Sequence, residues 1–202
     1  MTIAQEVAQS LLEIKAVALR PNDPFTWASG MKSPIYCDNR LTISYPEVRN
    51  LICKGLVQLI QKNYPEAEVI AGTATAGIPH AAWVADKLNL PLIYVRSKPK
   101  DHGQGKQVEG VLKPGQKVVV IDDLISTGQS VLGAVKAVQN ADAEVVGVAG
   151  IFSYQLPSAT KNFADAQIEF DTVTNYSILI EEAKKQNYVN DEELAILKKW
   201  RS

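Results

Sequence analysis

Cysteine is scarce in this chain: Cys37 and Cys53 are the only two among 202 residues. Two thiols exclude a disulfide framework and a four-cysteine zinc site; they leave room for a single bridge, and two buried, reduced thiols are the expected state. An excess of either charge is also missing. With 21 basic and 22 acidic side chains the net charge is -1. No global positive field exists to hold DNA or RNA, so any anion must be bound by a local feature. Long apolar runs are missing as well. No stretch approaches the roughly 18 residues that cross a membrane, and the start, Met1-Thr2-Ile3-Ala4-Gln5-Glu6, has no basic region leading into an apolar one. The expectation is a soluble, cytoplasmic protein that binds neither nucleic acid nor membrane. What remains is a globular composition, 46% apolar and 21% charged, which argues against disorder and fibrous architectures. The length suits one domain with a sizeable core.

Hydrophobic patterning alternates between the helical and the strand type. Ile3, Val7, Leu11, Ile14 and Ala18 predict an amphipathic helix. Residues 24–40 hold Pro24, Gly30 and Pro34 among Phe25, Trp27, Ile35 and Tyr36, the mark of a short hairpin-like segment. Pro46 opens a second helix. Four apolar runs then predict strands at 69–71, 92–95, 118–121 and 145–152, with helices after the first and third, and Ile168-Glu169-Phe170 is read as a fifth strand. Residues 181–185 and 191–200 predict terminal helices. Strands that are apolar without alternation are buried on both faces, as in a parallel sheet covered by helices. Such sheets bind ligands beyond the carboxyl ends of their strands.

The segment with most chemistry is Val118-Val-Val-Ile-Asp-Asp-Leu-Ile-Ser-Thr-Gly-Gln-Ser130. A buried strand delivers two adjacent carboxylates to the sheet edge, and a small, hydroxyl-bearing turn then opens a helix. The turn's N–H groups and the helix N-terminus form a phosphate cradle. The aspartates would repel a phosphate beside them, so they must face hydroxyls or a divalent metal. A ligand with a sugar diol and one monophosphate satisfies both ends. The dinucleotide and P-loop glycine patterns are absent. A second segment, Arg96-Ser-Lys-Pro-Lys-Asp-His-Gly-Gln-Gly-Lys106, gathers four basic side chains and His102 with almost nothing apolar, and suits a lid over a pyrophosphate.

Together these segments resemble the type I phosphoribosyltransferases. The Asp122-Asp123 segment is similar to that family's motif for 5-phosphoribosyl 1-pyrophosphate (PRPP). The resemblance implies that Asp122 and Asp123 hold the ribose, and that Leu124, Ile125, Ser126, Thr127, Gly128, Gln129 and Ser130 wrap the 5-phosphate. The Arg96 segment is similar to the catalytic loop of the orotate phosphoribosyltransferases, which reaches into the partner's site in a homodimer. It implies PRPP contacts from Arg96, Lys100 and His102, with Lys100, Asp122 and Asp123 as the catalytic set. Ser97 stands where some members have a second lysine, with Lys98 near enough to substitute.

Phe25-Thr-Trp-Ala-Ser-Gly-Met-Lys-Ser-Pro-Ile-Tyr-Cys37 resembles the family's hood over the base. It implies that Tyr36 and Cys37, with Ser126, face orotate. Gly72 to Pro79 is similar to the pyrophosphate-side loop, with Ala76 where some members have a lysine. Tyr154 stands where some members place the arginine that grips the orotate carboxylate, and Arg40 is then the nearest basic candidate.

The implied architecture is α/β: a central, mostly parallel five-stranded sheet flanked by helices, with a small N-terminal hood. It reads as one domain over 1–202, with hood about 20–45, core about 65–175 and C-terminal helices about 176–200. The implied reaction is orotate plus PRPP giving orotidine 5'-monophosphate and pyrophosphate. The implied cofactor is Mg2+ carried in with PRPP, with no all-protein metal cage. The competing readings are a phosphoribosyltransferase for another base, and a PRPP-sensing regulator without catalysis.

Overall fold

The computed structural model describes residues 1–98 and 106–200. Helix α1 (Ile3–Glu13) opens at Thr2, whose hydroxyl accepts the Gln5 N–H while the Gln5 side chain accepts the Thr2 N–H. This satisfies two orphan donors reciprocally. The sequence period continues to Ala18, but the helix stops after Glu13. Lys15 takes a left-handed conformation (φ +57°), and Ala18 falls in a strand. Four short strands follow: β1 (Val17–Leu19), β2 (Phe25–Thr26), β3 (Lys32–Ser33) and β4 (Ile35–Cys37). β1 pairs antiparallel with β4, and β2 with β3. With a 3-10 helix over Asn39–Ser44 they form the expected hood.

The rest of the chain alternates: α2 (Pro46–Asn63), β5 (Val69–Thr73), α3 (Gly77–Leu88), β6 (Leu92–Val95), β7 (Val108–Glu109), β8 (Lys117–Ile125), α4 (Gln129–Gln139), β9 (Glu144–Ser153), α5 (Pro157–Ala166), β10 (Phe170–Asn175), α6 (Tyr176–Lys185) and α7 (Asp191–Lys199). The sheet order is β10-β9-β8-β5-β6-β7. Five strands are parallel, as expected. The sixth, two-residue β7 is an antiparallel edge on β6. The fifth parallel strand begins at Phe170 rather than Ile168, and α5 had no counterpart in the sequence pattern.

Successive strand residues feed opposite cores, as strand geometry requires. Ile70, Val119 and Ile121 pack with α1, α2, α3 and α6. Val69, Val118 and Val120 pack with α4 and α5. This two-sided burial produces the unbroken apolar runs of the sequence. No described helix is long and apolar enough to cross a membrane.

Candidate functional site

The acid pair lies inside β8, not in a turn after it. The strand continues past its apolar run, and Asp122 pairs in register with Gly150 of β9. Asp122 is buried. Its Oδ1 accepts the Thr73 hydroxyl at 2.6 Å and the Asp123 N–H at 3.0 Å. Burial pushes the carboxyl up to about 7; the Thr73 hydrogen bond opposes the rise, and the neighbouring Asp123 charge adds to it. Burial also raises Asp123. The pair therefore titrates as a unit shaped by desolvation, with its charge held in reserve for a hydroxyl-bearing or cationic ligand.

Thr73 reaches Asp122 because β5 and β8 align Gly72 with Ile121. The turn from β5 into α3 depends on glycine. A Cβ at Gly77 would lie 2.5 Å from the Ile121 carbonyl oxygen and 2.5 Å from the Thr73 hydroxyl. Only a glycine lets α3 start this close to the acid pair.

Beyond β8 the structure divides the segment matched to the phosphate motif. Ile125 is a fully buried strand residue whose carbonyl accepts the Tyr154 N–H. Leu124 and Ser126 line a cleft under the hood. Residues 126–128 form the turn, and Gln129 and Ser130 are the first residues of α4. Gly128, the residue before that helix, takes φ +80°, and no side chain caps the helix. Its first N–H groups are left for a ligand, together with the positive end of the helix dipole. The Asn162 side chain fixes the turn by donating to the Thr127 carbonyl at 2.9 Å.

The cleft measures about 600 Å³. Phe25, Trp27, Tyr36 and Tyr154 supply its aromatic walls. Phe25 and Tyr36 rings lie 5.9 Å apart, Trp27 and Tyr154 rings 4.8 Å apart. Thr26, Ala28 and Cys37 complete the hood side. Such a slot fits a flat heterocycle.

Of the residues matched to orotate, Tyr36 and Ser126 present themselves to this cleft. The Cys37 thiol is buried and directed at Asn39 Oδ1, 3.3 Å away. Burial raises it well above its ordinary range, so it is a neutral wall atom. Tyr154 is held in the interior, its hydroxyl accepting the Cys37 N–H at 3.1 Å. Arg40 is engaged elsewhere: its guanidinium grips Asp38 at 2.6 and 2.8 Å, although its charge still acts on Asp123. His80 packs against Trp83, and burial lowers its pKa to about 4, in keeping with a packing role.

Arg96 ends β6 beside Glu109, with 3.9 Å between the charged groups. Lys100 and His102 lie outside the described residues. Sequence reasoning missed three positioning groups. Thr73 orients Asp122. Asn39 donates to the Asp123 carbonyl at 2.6 Å, tying hood to core. Asn162 holds the turn into α4. A buried amide or hydroxyl beside a motif would have been the only signal, and burial is not visible in sequence.

The phosphoribosyl transferase domain family matches residues 46–171. An orotate phosphoribosyltransferase of Lactiplantibacillus plantarum is 65% identical over 199 residues, covering 98% of this chain and 94% of the relative. Among solved structures, the orotate phosphoribosyltransferase of Aeropyrum pernix superposes with a TM-score of 0.78 at 26% identity, over 91% of this chain and 99% of that one. The Mycobacterium tuberculosis enzyme in complex with PRPP superposes at 0.67 with 25% identity, over 88% and 98%. The chain belongs to the phosphoribosyl transferase family and, within it, to the orotate phosphoribosyltransferases: it transfers the 5-phosphoribosyl group of PRPP to orotate, giving orotidine 5'-monophosphate and pyrophosphate.

Proposed function

We propose a division of labour for that transfer within one catalytic domain. Asp122 and Asp123 hold the ribose hydroxyls. The turn over 126–128 and the start of α4 at Gln129 and Ser130 bind the 5-phosphate with their free N–H groups. The hood cleft takes orotate between its aromatic walls, with Ser126 at the junction. Arg96, Lys100 and His102 meet the pyrophosphate from a loop that acts in the partner's site of a homodimer.

One observation carries this reading. Leu124 and Ser126 line the cleft, and they are neighbours of the acid pair and of the uncapped helix start. Base slot, sugar acids and phosphate turn therefore share one stretch of chain.

In the transfer, pyrophosphate leaves the anomeric carbon as a ring nitrogen of orotate attacks. Positive charge grows on the ribose, as in glycoside transfer, next to the two carboxylates. Negative charge grows on the leaving group, where the basic loop stabilises it more strongly once water is excluded. Two adjacent carboxylates are hard oxygen donors, which suits Mg2+. Two carboxylates leave most of an octahedral shell to water and substrate oxygens, so these donors fit a cation shared with the substrate. What such a cation would supply there is neutralisation of the pyrophosphate charge, with Asp122 and Asp123 as the residues that would hold it. The unlinked, buried thiols of Cys37 and Cys53 suit a reducing, cytoplasmic setting.

The test follows orotate's ultraviolet absorbance after adding PRPP. Loss of absorbance with Mg2+, and none after chelation, is the expected result. Equal loss in both would remove the metal from the proposal. A normal rate in an Asp122→Asn, Asp123→Asn variant would remove the acid pair.

A further inference from the structure

Orotate carries a carboxylate, and a carboxylate leaving water needs a partner. The aromatic cleft offers none: its lining holds Thr26, Ser126 and two tyrosines as polar groups, and no cationic side chain. Tyr154 stands where some members of the family have an arginine; its hydroxyl accepts the Cys37 N–H, and the O–H it can still donate carries no charge to pair a carboxylate. Among the described residues, then, a cation has to come from the rim.

The hood segment 20–45 itself carries three basic side chains. Arg40 is engaged by both oxygens of Asp38. Arg20 lies over the Phe25 ring, 4.7 Å from its centre, and is committed to that ring. Lys32 differs from both. It faces Thr26 across the β2–β3 hairpin, and its ammonium donates to the Thr26 hydroxyl at 2.6 Å. Thr26 is a cleft residue. Lys32 makes no ion pair with an acid among the described residues, and an ammonium has two further donors beyond the one used. Its backbone is fixed from the other side of the chain: the Lys32 carbonyl accepts the Trp200 indole N–H at 3.0 Å. Trp200 in turn packs against Trp27 and Tyr154, the facing aromatics of the cleft.

We propose that Lys32 is the specificity-determining cation that pairs with the orotate carboxylate, held at the cleft mouth by Thr26 and by the Trp200 clasp. The proposal rests on the reading that the hood cleft takes the base. A compact point charge on a flexible stem suits one carboxylate at an open rim.

The experiment measures steady-state kinetics for Lys32→Met, Lys32→Arg, Arg20→Met and Tyr36→Ala, with inhibition by uracil, the same ring without the carboxylate. Loss of one charge-assisted hydrogen bond should raise the orotate KM of Lys32→Met about 10- to 100-fold. The PRPP KM, the uracil inhibition constant and the melting temperature should stay near the parent values. Lys32→Arg should recover most of the loss. Three results overturn the proposal: an unchanged orotate KM in Lys32→Met, a uracil constant weakened as much as orotate, or the orotate-selective loss appearing in Arg20→Met instead. Tyr36→Ala separates the two levels. If it raises the orotate KM while Lys32→Met does not, the cleft reading stands and the Lys32 assignment falls. If neither does, the base binds elsewhere and both fall.

Discussion

At Asp122 burial and hydrogen bonding act in opposite directions. Burial disfavours the charge, the Thr73 hydroxyl favours it, and burial prevails, leaving the carboxyl at about 7. In the unfolded chain an aspartate ionises near 3.9. The native state therefore holds this proton more tightly. Stability falls as pH rises through the interval between those values, and above about 7 the whole penalty is in place. Asp122→Asn keeps an oxygen for the Thr73 hydroxyl and the Asp123 N–H while removing the charge. At pH 8 the variant should be more stable than the parent by about 1–3 kcal/mol, and at pH 4 the two should coincide. Its kcat/KM for PRPP should fall by about 100-fold or more, through lost bonds to the ribose. Urea unfolding at the two pH values checks the first part, and a stability difference that does not change with pH would refute it. The placement of Asp122 and Asp123 toward the carboxyl end of a central strand was legible in sequence because an unbroken apolar run leads into them. Thr73 was not, because its role depends on the register between β5 and β8. Nor did the sequence reveal that Arg40 is occupied, since Asp38 and Arg40 look like any two neighbouring charges.

Elements were legible where burial is two-sided. β5, β8 and β9 read as apolar runs because both faces are covered. β10 did not: Phe170-Asp-Thr-Val-Thr-Asn175 buries only Val173 and Thr174, as an edge strand can. α1 was over-extended because nothing in residues 14–18 breaks a helical period. The stop is tertiary: Val17 pairs with Cys37 of β4, and that ladder outweighs local preference. Glycines at the same level divide by what surrounds them. Gly147 of β9 faces Tyr64, fully buried at the end of α2, and a Cβ there would lie 2.2 Å from the ring. Strand and helix would have to separate, so Gly147→Ala should destabilise by about 1–3 kcal/mol, or several degrees in Tm. Gly133 sits within α4 with nothing inside 4 Å of its Cβ position. Gly133→Ala should stabilise by about 1 kcal/mol through helix propensity alone. Thermal unfolding of the two variants checks the contrast, and equal shifts in the same direction would contradict it.

For the whole molecule, charge is distributed rather than abundant. A net charge of -1 coexists with a reaction on a polyanion, so the cations must be brought to one place at one time. Arg96 opens the basic segment at the end of β6, and β5 lies between β6 and the acid pair on β8. The proposed homodimer makes acids and loop belong to different chains. Mixing separates that arrangement from a loop serving its own chain. One partner is Asp122→Asn, Asp123→Asn, with a native loop. The other is Lys100→Ala, with native acids. Each alone should be nearly inactive. If the loop acts across the dimer, a hybrid has one complete site, built from the native acids of one chain and the native loop of the other. Random re-pairing at equal amounts makes half of the dimers hybrid, so about a quarter of the parent activity should return. If the loop serves its own chain, every site in the hybrid lacks one half, and verified hybrids stay inactive. Lys100→Ala should also unfold at the parent's temperature, since its role is placed on the leaving group and not on the core. A matching loss of Tm and activity would instead make Lys100 part of the fold.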